Sequence, residues 1–168
     1  MIMKIFLIGL PGSGKSTIGK SLALELAFPF IDLDTEIEKQ EGRTIKQIFK
    51  QMHEGYFRQL ESKALKKYCQ SADSFVMATG GGAPCFHQGI DIINQTGLSV
   101  FLDVSIDTLL KRLHANTDRP LLNVIDAKDK DEKLLALRTS RLSCYQQAHV
   151  TVVNPTFKKL EEAIQFRK

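Results

Sequence analysis

The stretch Gly9-Leu10-Pro11-Gly12-Ser13-Gly14-Lys15-Ser16-Thr17 constrains this chain more than any other. A Gly, four residues, then Gly-Lys-Ser is the spacing of a phosphate-binding loop. The flanks supply the context that spacing needs. Ile5-Phe6-Leu7-Ile8 before it is a short apolar run of β character, and Ile18, Leu22, Ala23 and Leu26 after it recur at helical spacing. Glycines let backbone N–H groups turn inward and approach a polyphosphate closely. The first helical turn adds unpaired N–H groups and the positive end of its dipole. In such a loop Lys15 reaches the β- and γ-phosphates of a bound nucleotide, the Ser16 hydroxyl ligates Mg²⁺, and Gly12, Ser13, Gly14 and Thr17 line the cradle.

Five apolar runs alternate with helical patterns: Met3–Ile8, Phe30–Leu33, Phe75–Ala78, Val100–Val104 and Val150–Val153. They are near-continuous and not alternating, as in strands buried on both faces of a parallel sheet. The class is therefore α/β, with helices on both faces of a mainly parallel sheet. Ligands bind beyond the carboxyl ends of such strands. That rule singles out the glycine loop, Asp32 and Asp34, Gly80 to Gly82, Asp103, and Asn154-Pro155.

A length of 168 residues fits one domain with a core that needs no disulfide or structural metal. A net charge of +4 suits small anionic substrates, and no dense basic run points to nucleic acid. Cys69, Cys85 and Cys144 are odd in number and far apart, which reads as reduced thiols in a cytoplasmic protein. The first residues lead straight into a strand, so neither a signal peptide nor a membrane span is expected.

Two segments interrupt the alternation. Residues 34 to about 70 form a mostly helical insertion whose expected buried face is Ile37, Ile45, Ile48, Phe49, Phe57 and Leu60. Residues 116 to about 131 hold Arg119-Pro120-Leu121-Leu122 and then a charged run, Asp126 to Asp131, without periodicity. That segment reads as a mobile loop before a helix through Leu134, Leu137 and Leu142.

Asp32 and Asp34 close the second strand, where alternation would turn both side chains to one side. One could hold Mg²⁺ through water while the other takes the proton of an acceptor hydroxyl. Capping of the helix that begins near Thr35 is an equally open reading. Asp103, closing Val100-Phe101-Leu102-Asp103, is a rival metal ligand in a Walker B position. Gly80-Gly81-Gly82 is either a floor for a small ligand or a flexible connector. Arg58, Arg119 and Arg141 are candidates for planar recognition of carboxylate or phosphate, and Arg58 stands three residues from Glu61, close enough to pair on a helix. The four histidines, His53, His87, His114 and His149, show no metal-ligand spacing.

Together, Gly-x-x-Gly-x-Gly-Lys-Ser, Asp-x-Asp, Phe-Arg-x-x-Glu, Gly-Gly-Gly, Arg-Pro-Leu-Leu and Arg-x-x-x-Tyr, in this order from about Ile5 to Pro155, resemble shikimate kinase. The resemblance implies a P-loop kinase fold with a five-stranded parallel sheet, residues 34–70 as a shikimate-binding subdomain and residues 116–131 as a closing lid. It implies transfer of the ATP γ-phosphoryl group to the 3-hydroxyl of shikimate, on the route to chorismate, by a monomer. On that likeness Asp32 holds Mg²⁺ through water, with Ser16, and Asp34 contacts the shikimate hydroxyls and acts as base. Arg58 and Arg141 clamp the shikimate carboxylate above Gly80, Gly81 and Gly82, with Phe49 and Phe57 as apolar walls. Arg119 is the lid arginine, and Arg112 and Pro155 neighbour adenine. Pro11 and His53 depart from residues frequent in the family, away from these roles. The nearest rivals are gluconate and nucleoside-monophosphate kinases. A GTP switch would need Asn-Lys-x-Asp and Asp-x-x-Gly elements that this chain lacks, and a nucleic-acid ATPase would need stacking aromatics, against no Trp and three Tyr here.

Overall fold

The computed structural model describes residues 2–115 and 127–165. Five strands, β1 (Lys4–Ile8), β2 (Phe30–Asp32), β3 (Phe75–Ala78), β4 (Leu98–Asp103) and β5 (Val150–Val153), form one sheet in the order β2-β3-β1-β4-β5. Every pairing is parallel, with Leu7 opposite Ala78 on one side and Val100 on the other. β1 is thus central, and all five carboxyl ends open on the same edge of the sheet.

The runs of β1, β3 and β4 are doubly buried because alternate residues serve two different cores, whereas the edge strands β2 and β5 are only partly buried and β5 exposes Thr151 and Val153. Phe6 and Ile8 enter the larger cluster, with Leu33, Ile37, Ile48, Phe57, Leu65, Ile93, Leu109 and Tyr145. Ile5 and Leu7 enter the smaller one, with Leu22, Ala23, Leu160 and Ile164. Accordingly α1 (Lys15–Glu25) and α8 (Phe157–Gln165) cover one face. The other face is covered by α2 (Leu33–Glu41), α3 (Ile45–Gln51), α4 (Glu54–Gln70), α5 (Gly89–Thr96), α6 (Ile106–Ala115) and α7 (Ala127–Tyr145).

The insertion between β2 and β3 is helical as expected. Ile37, Ile48 and Phe57 are buried, and Ile45, Phe49 and Leu60 pack against the same cluster. Its helices are punctuated locally: Gly42, in the left-handed region at φ 63°, ends α2, and Thr44 and Gln47 form a reciprocal capping box at the start of α3. His53 caps α4, its Nδ1 accepting from the Tyr56 N–H at 3.1 Å.

Two expectations are corrected. Residues 127–131 are the first turns of α7 and not loop. Lys, Ala and Glu are good helix formers, an acidic residue near the N-terminus complements the dipole, and a solvated turn needs no apolar stripe. The rest of the segment expected to be a lid, residues 116–126 with Arg119, lies outside the described residues. The second correction concerns Asp34. The strand ends at Asp32, which caps α2 by accepting from the Thr35 N–H at 3.3 Å, so Asp34 is the second residue of a helix that begins at Leu33. Strand alternation therefore does not govern where it points.

Candidate active site

The loop between β1 and α1 needs three residues with positive φ, at Gly9 (148°), Gly12 (85°) and Gly14 (90°). Only glycine enters this region without cost, which is why the motif is glycine-rich. Gly14 stands at the N-cap of α1 and offers no side chain, so the first N–H groups of the helix face outward without a capping oxygen. The Lys15 ammonium folds back onto its own loop, donating to the carbonyls of Gly9 at 2.9 Å and Leu10 at 3.0 Å. Arg112 arrives from α6 and donates to the Gly12 carbonyl at 2.9 Å, which puts a guanidinium on the rim of the phosphate cradle. Thr17 is exposed one turn into α1. Pro155 follows β5, next to Asn154, whose N–H bonds the Asp103 carbonyl at 2.9 Å.

Ser16 and Asp32 come together. The Ser16 hydroxyl donates to Asp32 Oδ2 at 2.7 Å, so two oxygen ligands stand side by side at the foot of the loop. That donor set fits a hard divalent cation such as Mg²⁺, which takes oxygen ligands and retains water. Asp103 is differently engaged: its Oδ1 pairs with Arg138 of α7 at 3.0 Å. The helix-capping reading of Asp32 and its meeting with Ser16 are both true, one through each carboxylate oxygen.

The three glycines after β3 are closely hemmed in by side chains of other elements. Each points its missing Cβ at different charged side chains. A Cβ on Gly80 would strike Glu61 Oε1 and come within 2.8 Å of Asp34 Oδ1. One on Gly81 would lie 3.0 Å from Arg141 Nη1 and 3.4 Å from Pro11 Cδ of the phosphate loop. One on Gly82 would fall on Arg58 Nη1 and within 2.5 Å of its Cζ. The floor is therefore backbone of necessity, and it gathers Asp34, Glu61, Arg58 and Arg141 next to the loop.

Arg58 and Glu61 pair as their spacing predicts, Nη1 to Oε2 at 2.7 Å, and both are buried. The sequence reading missed two further supports of Arg58. Glu54 accepts from its Nε and Nη2 at 3.1 and 2.9 Å, and Phe86 lies under its guanidinium at 4.4 Å, with Phe57 at 5.2 Å. The i,i+4 spacing of Glu54 and Arg58 was a legible signal; the Phe86 stack was not. Tyr145, also buried, donates its hydroxyl to the Gly81 carbonyl at 2.6 Å. Phe49 and Phe57 pack ring to ring at 4.8 Å.

Two carboxylate oxygens in this pocket, Asp34 Oδ1 and Glu61 Oε1, are buried and make no hydrogen bond among the described residues. Burial pushes the Asp34 carboxyl up, with Asp32 adding to the rise and Lys15 opposing it. Burial likewise lifts Glu61, to about 7, against the pull of Arg58. A surface concavity on the outer face of α4, among Gln59, Lys63, Lys66, Lys67 and His87, contains none of these groups.

The sequence profile of the shikimate kinases matches residues 11–166 of this chain. The chain belongs to the shikimate kinase family. It is 36% identical over 155 residues to the shikimate kinase of Persephonella marina, covering 89% of this chain and 94% of the relative. With that of Bacteroides fragilis it shares 43% over 135 residues, 80% of this chain and 73% of the relative. Among solved structures, the shikimate kinase of Acinetobacter baumannii, in complex with shikimate, superposes with a TM-score of 0.90 at 32% identity, over 100% of this chain and 96% of that one. That of Bacteroides thetaiotaomicron gives 0.88 at 33% identity, over 99% and 97%. The P-loop kinase fold of the family is the fold described above.

Proposed function

We propose that this chain phosphorylates the 3-hydroxyl of shikimate from ATP, in the aromatic biosynthetic route, with the glycine floor and the groups around it as the acceptor site. One observation carries the assignment of the site: two arginines and two buried, unpaired carboxylate oxygens converge on Gly80–Gly82 beside the phosphate loop. An acceptor with an anionic group for the guanidinium groups and hydroxyls for the carboxylates matches that arrangement.

The roles follow from position. The outward N–H groups of the loop and α1, with Lys15 exchanging its loop carbonyls for phosphate oxygens, bind the β- and γ-phosphates of ATP. Arg112 steadies the cradle from its rim, and Pro155 and Arg112 flank the adenine. Arg58 and Arg141 hold the shikimate carboxylate, and Asp34 orients the hydroxyl and accepts its proton as the O–P bond forms. A raised carboxyl pKa makes Asp34 a better base than an ordinary aspartate. Ser16 and Asp32 would hold Mg²⁺, which offsets charge on the transferring phosphoryl group. Residues 34–70 act as the acceptor-binding subdomain and residues 116–131, of which 127–131 begin α7, as the lid, Arg119 meeting the transition-state charge. The enzyme works as a cytoplasmic monomer; no described helix is long and apolar enough to cross a membrane.

A coupled ATPase assay with shikimate, quinate, gluconate and AMP tests the activity: only shikimate should give rapid turnover. Two isosteric variants test the roles. Asp32→Asn should weaken Mg²⁺ dependence and recover partly at raised Mg²⁺. Asp34→Asn should still bind ATP with Mg²⁺ but lose about 10²–10⁴-fold in turnover, without such recovery. Recovery by Mg²⁺ for Asp34→Asn instead, or only for a change at Asp103, would reverse the assignment.

A further inference from the structure

Phe86 stands where no core calls for it. It belongs to neither hydrophobic cluster and remains 40% exposed, although Phe6, Phe57, Phe75 and Phe101 are all buried. What it meets is the guanidinium of Arg58, whose Cζ lies over its ring, 4.4 Å from the centroid. The chain on either side is held tightly. The Cys85 N–H bonds the Gly82 carbonyl at 2.8 Å, the Gly89 N–H bonds the Phe86 carbonyl at 2.9 Å, and the Ile90 N–H bonds the Pro84 carbonyl at 2.7 Å. Directly after it, His87 and Gln88 both lie in the left-handed region, at φ 51° and 59°. Two successive residues other than glycine are uncommon there, and such strain gathers at ligand clamps. The turn leads from the glycine floor into α5 and leaves the Phe86 ring on Arg58.

Arg58 is held in two different ways. Hydrogen bonds fix its edge: Glu54 accepts from Nε and Nη2, and Glu61 accepts from Nη1. Of the five N–H groups of a guanidinium, these bonds use three and leave two for a ligand. Hydrogen bonds made in the plane do little to stop the group from tilting out of it. There it is bounded by the Gly82 backbone, where a Cβ would come within 2.5 Å of Cζ and 3.0 Å of Nη2, and by the Phe86 ring. An aromatic ring attracts a guanidinium through its quadrupole. It does so without taking an N–H, whereas a carboxylate or amide in the same place would consume one of the two that remain.

We propose that Phe86 is a positioning residue of the acceptor site: its ring holds the Arg58 guanidinium against the glycine floor, with two N–H groups left to receive the anionic end of the acceptor. The role rests on the assignment of Arg58 to the acceptor carboxylate made above. It concerns affinity for the acceptor and not the transfer step, because the ring acts on the carboxylate clamp and not on the phosphate loop. That loop is engaged from other elements, by Lys15 of α1 and Arg112 of α6.

Two substitutions separate the ring from its bulk. Phe86→Leu keeps an apolar side chain and removes the aromatic face; Phe86→Tyr keeps the face. Phe86→Leu should raise the KM for shikimate about 3–30-fold, the range of a cation–π contact, with kcat and the KM for ATP unchanged. Phe86→Tyr should behave as the wild type. In an Arg58→Ala background Phe86→Leu should add no further loss, because the ring acts through Arg58. The side chain lies outside both core clusters, so thermal unfolding should show little change in either single variant.

A second readout needs no substrate. In ¹⁵N-labelled protein the Arg58 Nε–H resonance, identified by its absence in Arg58→Ala, should carry a ring-current shift that Phe86→Leu abolishes and Phe86→Tyr keeps. An unchanged shikimate KM in Phe86→Leu overturns the positioning role. So does a Phe86→Tyr variant as impaired as Phe86→Leu, or a loss that adds in full to that of Arg58→Ala. An Arg58 resonance indifferent to Phe86→Leu overturns the contact itself. Failure of the wild type to use shikimate would sink the acceptor reading and the positioning role with it, while the Arg58 resonance still judged the contact.

Discussion

Replacing Glu61 by Gln should flatten the dependence of stability on pH. Glu61 is buried against Arg58, with one oxygen paired at 2.7 Å and the other without a partner among the described residues. Burial lifts its carboxyl from 4.5 to about 7 in the native state. Below pH 4.5 both native and unfolded chains carry the proton, and the group contributes no slope. Between 4.5 and about 7 the native chain keeps a proton that the unfolded chain has released. The native state binds more protons there, so stability falls as pH rises. Above about 7 both forms are ionised, and the loss is complete. At about 1.4 kcal/mol per pH unit, the interval amounts to roughly 3 kcal/mol. For a domain of this size that is on the order of 6–12 °C in Tm.

Glu61→Gln keeps an oxygen that can accept from Arg58 Nη1 and removes the titration. Other carboxylates, Asp34 among them, titrate in both proteins and largely cancel in the difference. Thermal unfolding of both from pH 4.5 to 8 in constant salt gives the comparison. The Tm of the wild type relative to the variant should fall steadily across that range. Parallel curves, or a wild type that gains on the variant as pH rises, would refute the reasoning. Either would mean that the ion pair with Arg58 outweighs burial at this site.

Gly82→Ala places a methyl on Arg58 Nη1 and should raise the shikimate KM much as Arg58→Ala does, by an amount equivalent to about 2–5 kcal/mol, with ATP affinity little changed; calorimetric titration with each substrate checks both. Tyr145→Phe removes the donor to the Gly81 carbonyl and should cost about 1–3 kcal/mol in shikimate binding, read in the shikimate KM and not in the KM for ATP. Arg119→Ala should depress kcat more than it changes either KM if, as proposed, its charge meets the transition state; an equal loss in the shikimate KM would place it in ground-state binding instead.

What was legible in the sequence was what local spacing encodes. The phosphate loop, the five strands and the Arg58–Glu61 pair all follow from residues within a few positions of one another. Asp34 was misplaced because a strand that ends one residue earlier hands it to a helix, and no apolar pattern marks that boundary. The start of α7 was missed because a solvated helical turn has no apolar stripe to read. Tyr145 on Gly81, Phe86 under Arg58 and Arg138 on Asp103 join separate elements. Only the order of the strands brings those elements together. Sequence spacing could name the glycines of the floor but not the reason for them, which is that each missing Cβ is the space of a different side chain.

In the proposed acceptor site, that floor would also govern how a small acceptor is selected. At Gly80 the pocket holds Asp34 Oδ1 and Glu61 Oε1, two buried oxygens that lack hydrogen-bond donors among the described residues. At Gly81 and Gly82 it holds the guanidinium groups of Arg141 and Arg58, which lack nothing but further acceptors. The two ends therefore ask for opposite things: hydroxyls on one side and an anion on the other. A ligand with a carboxylate and hydroxyls fixed on a rigid ring meets both demands without ordering a flexible chain, whereas linear gluconate must freeze several torsions to do so. An analogue lacking the hydroxyl that faces Asp34 and Glu61 leaves a buried carboxylate oxygen unpaired, and a site of this kind rejects such an analogue by about 10⁴–10⁵. Discrimination here thus comes mainly from the cost of unpaired buried groups, and only secondarily from the fit of apolar walls such as Phe49 and Phe57.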